Sequence, residues 1–204
     1  MKAKKLLMPL KLQFFASSTT MTDKDDVKLG SGDLYIMEFT GKVPEDTAIE
    51  VDVNKIGHIK GGASFEYTNE WKVVTDDMGV TIKNFLTKEN VLFKSGILAW
   101  NGKVLQALCA TARVTEPDHE NPYRIVKIGG KKHADGKSYI IHFVHTTDKG
   151  KHIKLTIVGT SRNGFTIAFD PENETVIDAE FTAISQDADG TLVTYKEEKE
   201  VIEG

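Results

Sequence analysis

The sequence predicts a mainly β domain with one packed α-helix and a long protruding β-hairpin, and three observations carry that reading. Short runs rich in β-branched and aromatic residues alternate apolar with polar positions through the C-terminal half, the period of strands with one buried face. Two longer alternating segments flank the polar sequence Asp76-Asp77-Met78-Gly79. One stretch alone changes period: Val104, Leu105, Leu108, Cys109 and Ala112 recur at helical spacing.

Taken in chain order, residues 1–32 are polar and lysine-rich after an apolar patch broken by Pro9 and Lys11, and read as an N-terminal arm rather than a secretion signal. The folded domain is expected over residues 33–198, followed by a short acidic tail at 199–204. Ala63–Val74 and Val80–Phe85 form the arms of the hairpin, longer than an ordinary strand pair. The helix starts after Asn101-Gly102, runs about three turns and ends before Pro117, in a polar loop reaching Asn121-Pro122. Strands are then expected at Tyr139–Val144, Ile153–Val158, Phe165–Phe169 and Thr175–Ile184, with a last one at Thr191–Tyr195. Asn163-Gly164 reads as a tight hairpin turn between two of them, because it supplies positive φ angles. In the strand at 175–184, Ile177, Ala179, Phe181 and Ala183 share one face, and Val176, Asp178, Glu180 and Thr182 share the other.

Composition excludes several classes. At 204 residues the chain is long enough to bury a core without a metal or disulfide staple. Its 26 Lys and Arg against 30 Asp and Glu leave a net charge of −4, the wrong sign for a protein that coats nucleic acid. No apolar run approaches the length of a membrane helix. The single cysteine, Cys109, removes internal disulfides and every zinc site built on paired cysteines.

The motifs that carry chemistry fail one after another. Gly159–Gly164 has phosphate-loop glycine spacing, but Phe165 stands where the lysine belongs and a strand, not a helix, is expected to follow. His142 and His145 lie three apart on a strand and so point to opposite faces, which leaves them as ordinary surface or half-buried histidines rather than joint metal ligands. Asp187-Ala188-Asp189-Gly190 begins like a calcium loop and lacks its closing glutamate. Cys109 sits on the helix's apolar stripe as a small core residue, and Asn173-Glu174-Thr175 matches a glycosylation acceptor with no secretory context. No catalytic, cofactor or metal residue is expected, and no enzyme.

What remains is the order of the segments. Gly57–Tyr67, the turn at Val74–Gly79, Phe93–Asn101 leading into the helix, and the closing stretches Val176–Ala183 and Asp189–Leu192 together resemble the major tail tube proteins of long-tailed, siphovirus-like bacteriophages, across roughly residues 33–198. Met8–Ala16 resembles a leader found on structural proteins of phages infecting Gram-positive bacteria. The resemblance implies a tail-tube-type β-sandwich or barrel whose subunits form six-fold rings stacked into a hollow tube, and a self-assembling virion protein made in the host cytoplasm. On that reading the hairpin reaches the next ring through Trp71, Val73, Asp76, Asp77, Met78 and Val80, and Asp178 and Glu180 are candidates to line the lumen. The implied partners are copies of the chain itself, a tape measure protein, a tail terminator and tail-tip or baseplate proteins. Double-stranded DNA would pass without specific binding, and no membrane is involved. Two other classes stand beside it: the tube of a phage-tail-like bacteriocin or a type VI-like secretion system, and a β-sandwich carbohydrate-binding module. The last would want a cluster of exposed aromatics, and the chain offers only Trp71 and Trp100 as tryptophans.

Overall fold

A computed structural model describes residues 32–57, 59–98, 101–167, 169, 172 and 174–199. In chain order the elements are β1 (Asp33–Glu38), α1 (Asp46–Ile49), β2 (Lys55–Ile56), β3 (Ile59–Thr75), β4 (Thr81–Ile97), α2 (Gly102–Leu108), β5 (Arg113–Thr115), β6 (Ile125–Lys127), a single 3-10 turn at Lys131–His133, β7 (Tyr139–Thr146), β8 (His152–Thr160), β9 (Ile177–Ile184) and β10 (Val193–Glu197). The protein is mainly β, as the alternation predicts.

Eight strands make one antiparallel sheet in the order β2-β1-β7-β8-β9-β4-β3, with β10 also paired to β8. β8 shares one edge between two partners: Ile153–Ile157 pair with β10, and Val158–Thr160 pair with β9. The crossing is tight at Gly159, where a β-carbon would lie 2.5 Å from Thr182 O of β9, so only glycine fits. β5 and β6 form a separate two-stranded ribbon.

Both faces of the sheet are covered. On one side α2 packs Val104, Leu105 and Leu108 against Phe93, Ile97, Ile141, Ile157, Ile177 and Phe181. On the other, α1 places Ile49 over Ile140 and Val158, with Tyr35, Met37 and Val43 around them. This two-sided burial explains why Tyr139–His142 is a continuous buried run rather than an alternating one.

The alternation read in β9 holds: Ile177, Ala179 and Phe181 are buried, and Asp178 is exposed. Other expectations need correction. Phe165–Ile167 is not a strand, and Asn163-Gly164 turns no hairpin; β9 already lies between β4 and β8, so neither of its edges is open to this segment. Phe165 and Ile167 pack on the core from a loop instead. The helix after Asn101 spans seven residues, about two turns, because Cys109 leaves helical geometry at φ −142° and ψ 105°. Cys109 is accordingly half-buried at the helix end, not a core residue. A second helix, α1, was not expected: four residues are too few to show a period. Trp100, Asn173 and nearly all of the N-terminal arm and acidic tail lie outside the described residues.

Candidate assembly site

β3 and β4 are 17 residues each, roughly three times the usual strand length, and form the sequence-predicted hairpin. Only the base of β4, Leu92–Ile97, has a second neighbour, β9; from Val91 outward the two strands pair with each other alone. From there to Met78 the ribbon runs on for about 40 Å at ~3.3 Å per residue.

Register fixes which side chains share a face. Phe65, Tyr67, Asn69, Trp71 and Val73 of β3 lie opposite Phe93, Val91, Glu89, Leu86 and Asn84 of β4. The other face carries Glu66, Thr68, Glu70 and Lys72 of β3, with Leu92, Asn90, Lys88 and Phe85 of β4 opposite them, and Lys88 is bonded to Glu70 at 2.9 Å. Thr87 is the extra residue of a bulge, and its hydroxyl donates to Glu70 O at 2.9 Å. Without that bulge Leu86 would fall on the polar face, away from Trp71. One face is therefore apolar along most of its length, and it is continuous with the core through buried Val91 and Phe93.

That face is in water. Of the fifteen large hydrophobic residues exposed among the described residues, Phe65, Tyr67, Trp71 (56 % exposed), Val73 and Leu86 lie on it, Met78 (87 %), Val80 and Ile82 lie at or beside the tip, and Phe85 is on the other face opposite Lys72. A concentration of this kind marks a contact surface rather than ordinary scatter. Small polar ties hold it open: Trp71 Nε1 donates to Asn69 Oδ1 at 3.2 Å, and Tyr67 OH donates to Glu89 Oε1 at 2.7 Å. At the tip, Asp76 Oδ1 accepts from the backbone N–H groups of Met78 and Val80, at 3.0 and 2.8 Å, and Gly79 takes φ 80° to close the turn. The structure brings together on one projecting ribbon all six residues named for inter-ring contact, Trp71, Val73, Asp76, Asp77, Met78 and Val80, and all six are exposed.

Asp178 and Glu180 share the wet face of β9 but differ in surroundings. Glu180 is bonded to Lys94 at 3.2 Å and to the Asn163 amide, so its charge is compensated. Asp178 is exposed and makes no ion pair with a described residue.

A polar chain with no signature in the sequence fastens α1 to the sheet. His142, fully buried on β7, donates Nε2–H to Glu50 Oε1 at 3.0 Å and accepts the Thr156 hydroxyl at Nδ1, 2.8 Å away. Glu50 also accepts from Lys154 at 2.6 Å, and Asp46 accepts from Lys196 at 2.6 Å. Burial holds the His142 imidazole below its ordinary pKa, against the opposing pull of the Glu50 carboxylate, so the ring is neutral at pH 7. Burial alone would raise Glu50 and Asp46, but the bonded lysines outweigh it and hold both carboxyls below their usual range. The carboxylate–imidazole–hydroxyl order is that of a catalytic relay, yet Thr156 is 3 % exposed, and the contacts join α1, β7 and β8. No group of three or more His, Cys, Asp or Glu among the described residues is arranged to hold a metal, and no described helix is long and apolar enough to cross a membrane.

No family model matches the chain, and no curated protein matches it. Among solved structures it is similar to one described as the crystal structure of Hcp protein, at 12 % identity over 83 % of this chain and 99 % of that one, with a TM-score of 0.31.

Proposed function

We propose that this chain is a structural subunit of a phage tail tube, assembling into six-fold rings that stack into a hollow conduit for the genome, and that it performs no catalysis. The single observation that carries the reading is the 17-residue hairpin with its apolar face in water, continuous with the core. A monomer gains nothing from extending core-type side chains into solvent; burial against another copy stabilises each large one by roughly 1.5–3 kcal/mol. The outer edge of β3 supports the same reading, because among the described residues no strand pairs along it, and such edges are normally covered or paired. Ring closure covers them. The residue pattern that resembles the tail tube family runs through the same hairpin. Tape measure, terminator and tail-tip proteins are the further partners this role requires, with the virion tail as its location.

The test is negative-stain electron microscopy and sedimentation of the purified full chain, alone and with tail-tip particles as template. Rings or tubes about 100 Å wide, on the order of two or three domain diameters, are expected. A compact monomer at millimolar concentration, unchanged by template, overturns the proposal.

A further inference from the structure

We propose that the hairpin tip of one copy docks on the β5–β6 ribbon of a second copy, in a head-to-tail contact. The identity of the partner as the same chain rests on the tube reading above; the surface it selects does not.

The receiving surface is the basic end of the ribbon, where Arg113 meets Lys127; the loop at the other end carries Glu116, Asp118 and Glu120. Arg113 and Lys127 are directly opposite each other in the ribbon, an arrangement of like charges that destabilises a strand pair. The Arg113 guanidinium is held in place by donating to Gly129 O at 3.2 Å. Lys131 and Lys132 follow in the exposed 3-10 turn, and among the described residues none of Lys127, Lys131 and Lys132 is paired with a carboxylate. The nearby Asp135 carboxylate accepts from the Lys137 backbone N–H. Ile128 stands exposed beside Lys127, so the patch combines cations with apolar surface. A local conflict of this sort in an otherwise consistent fold marks a place where something else supplies the compensation.

The tip has the complementary make-up. Asp76 and Asp77 supply the anionic groups, with Asp76 holding the turn rigid and Asp77 projecting without an ion pair to a described residue. Met78, Val80 and Ile82 supply exposed apolar side chains beside them. A phosphate backbone would satisfy the lysines and leave Ile128 in water, so a protein partner fits the patch better than nucleic acid.

Position makes the contact directional. β4 starts at the tip and ends at Ile97, and α2 begins five residues later, with Gly102 pressed against Val114 of the ribbon. Tip and ribbon therefore lie at opposite ends of the hairpin axis. A contact between two different surfaces is heterologous, and it propagates from copy to copy instead of closing on a dimer.

The experiment is sedimentation velocity, with imaging of the same samples, on the full chain and three variants: Asp77→Lys, Lys131→Glu with Lys132→Glu, and all three changes together. Circular dichroism verifies the fold of each. Each reversal by itself is expected to raise the concentration needed for association at least tenfold, raised salt is expected to do the same to the wild type, and the combined variant is expected to recover. Association that is charge-dependent in this way but yields no tubes supports the docking and sinks the tube reading. Tubes that form equally well from every variant overturn the docking and leave the tube reading standing. No association by any form, alone or with tail-tip particles as template, overturns both. Loss of binding to a labelled duplex oligonucleotide in Lys131→Glu with Lys132→Glu, with association unchanged, also overturns the docking by assigning the patch to nucleic acid.

Discussion

Asn101 starts α2 with one oxygen: its Oδ1 accepts from the N–H groups of Lys103 and Val104, at 2.9 and 3.2 Å, two donors the helix leaves unsatisfied. Asn101→Ala is expected to cost about 1 kcal/mol in urea denaturation. Phe181 is fully buried between sheet and helix, and Phe181→Ala is expected to cost about 3–5 kcal/mol by the same measurement. His142 sets a pH dependence of its own. Its folded pKa lies below its ordinary value of 6.5, so the unfolded chain binds the extra proton first. The stability this neutral ring contributes is complete above pH 6.5 and falls as pH drops from 6.5 to the folded pKa. The Asp46 and Glu50 carboxyls are also held low, and their contribution is lost only further down, below about pH 4.5. The urea midpoint is thus expected to decline between pH 7 and 5 in the wild type, and to stay nearly flat there in His142→Gln. A decline of equal slope in the variant would assign the effect to another group.

At the scale of the element, the hairpin separates assembly from folding. Trp71 and Val73 are more than half exposed, so Trp71→Ala with Val73→Ala should change monomer stability by only about 0.5 kcal/mol per site. Assembly should fail in the same variant, read as loss of the fast-sedimenting species. Two strands that pair only with each other are marginal in water. Amides of residues 70–83 are therefore expected to exchange freely in the isolated subunit and slowly in the assembly. Equal protection in both states would remove the hairpin from the contact.

For the whole molecule, the proposed tube puts its two lumen candidates on different footings. Glu180 is tied to Lys94 and Asn163, whereas Asp178, on the same wet face, makes no ion pair with a described residue. Asp178→Lys is expected to leave tube formation intact and to reduce DNA delivery, with the defect easing at higher salt as phosphate contacts weaken. Glu180→Lys instead sets two lysines against each other across β4 and β9 and is expected to destabilise the sheet. Unchanged infectivity of virions carrying Asp178→Lys would exclude this residue from the passage.

How much of this was legible before folding follows from the range of the forces involved. Strand composition and alternation are local properties, so the strands read at 139–144, 153–158 and 175–184, the long hairpin and its Asp76–Gly79 tip were all readable from neighbouring residues. The exposed placement on the ribbon of the six residues named for inter-ring contact was legible for the same reason. Pairing is not local. Phe165–Ile167 has a strand's composition and no strand's place, because β4 returns from some 80 residues away to occupy the edge of β9. The bulge at Thr87 that keeps Leu86 opposite Trp71 has no signature in the sequence either. The histidine on a strand was visible, but its burial was decided by α1 closing over β7 and bringing Glu50 across 92 positions to meet it. Chain chemistry fixed which segments extend and which faces are apolar; only three-dimensional packing decided which edges are filled, which charges are neutralised and which apolar face is left in water.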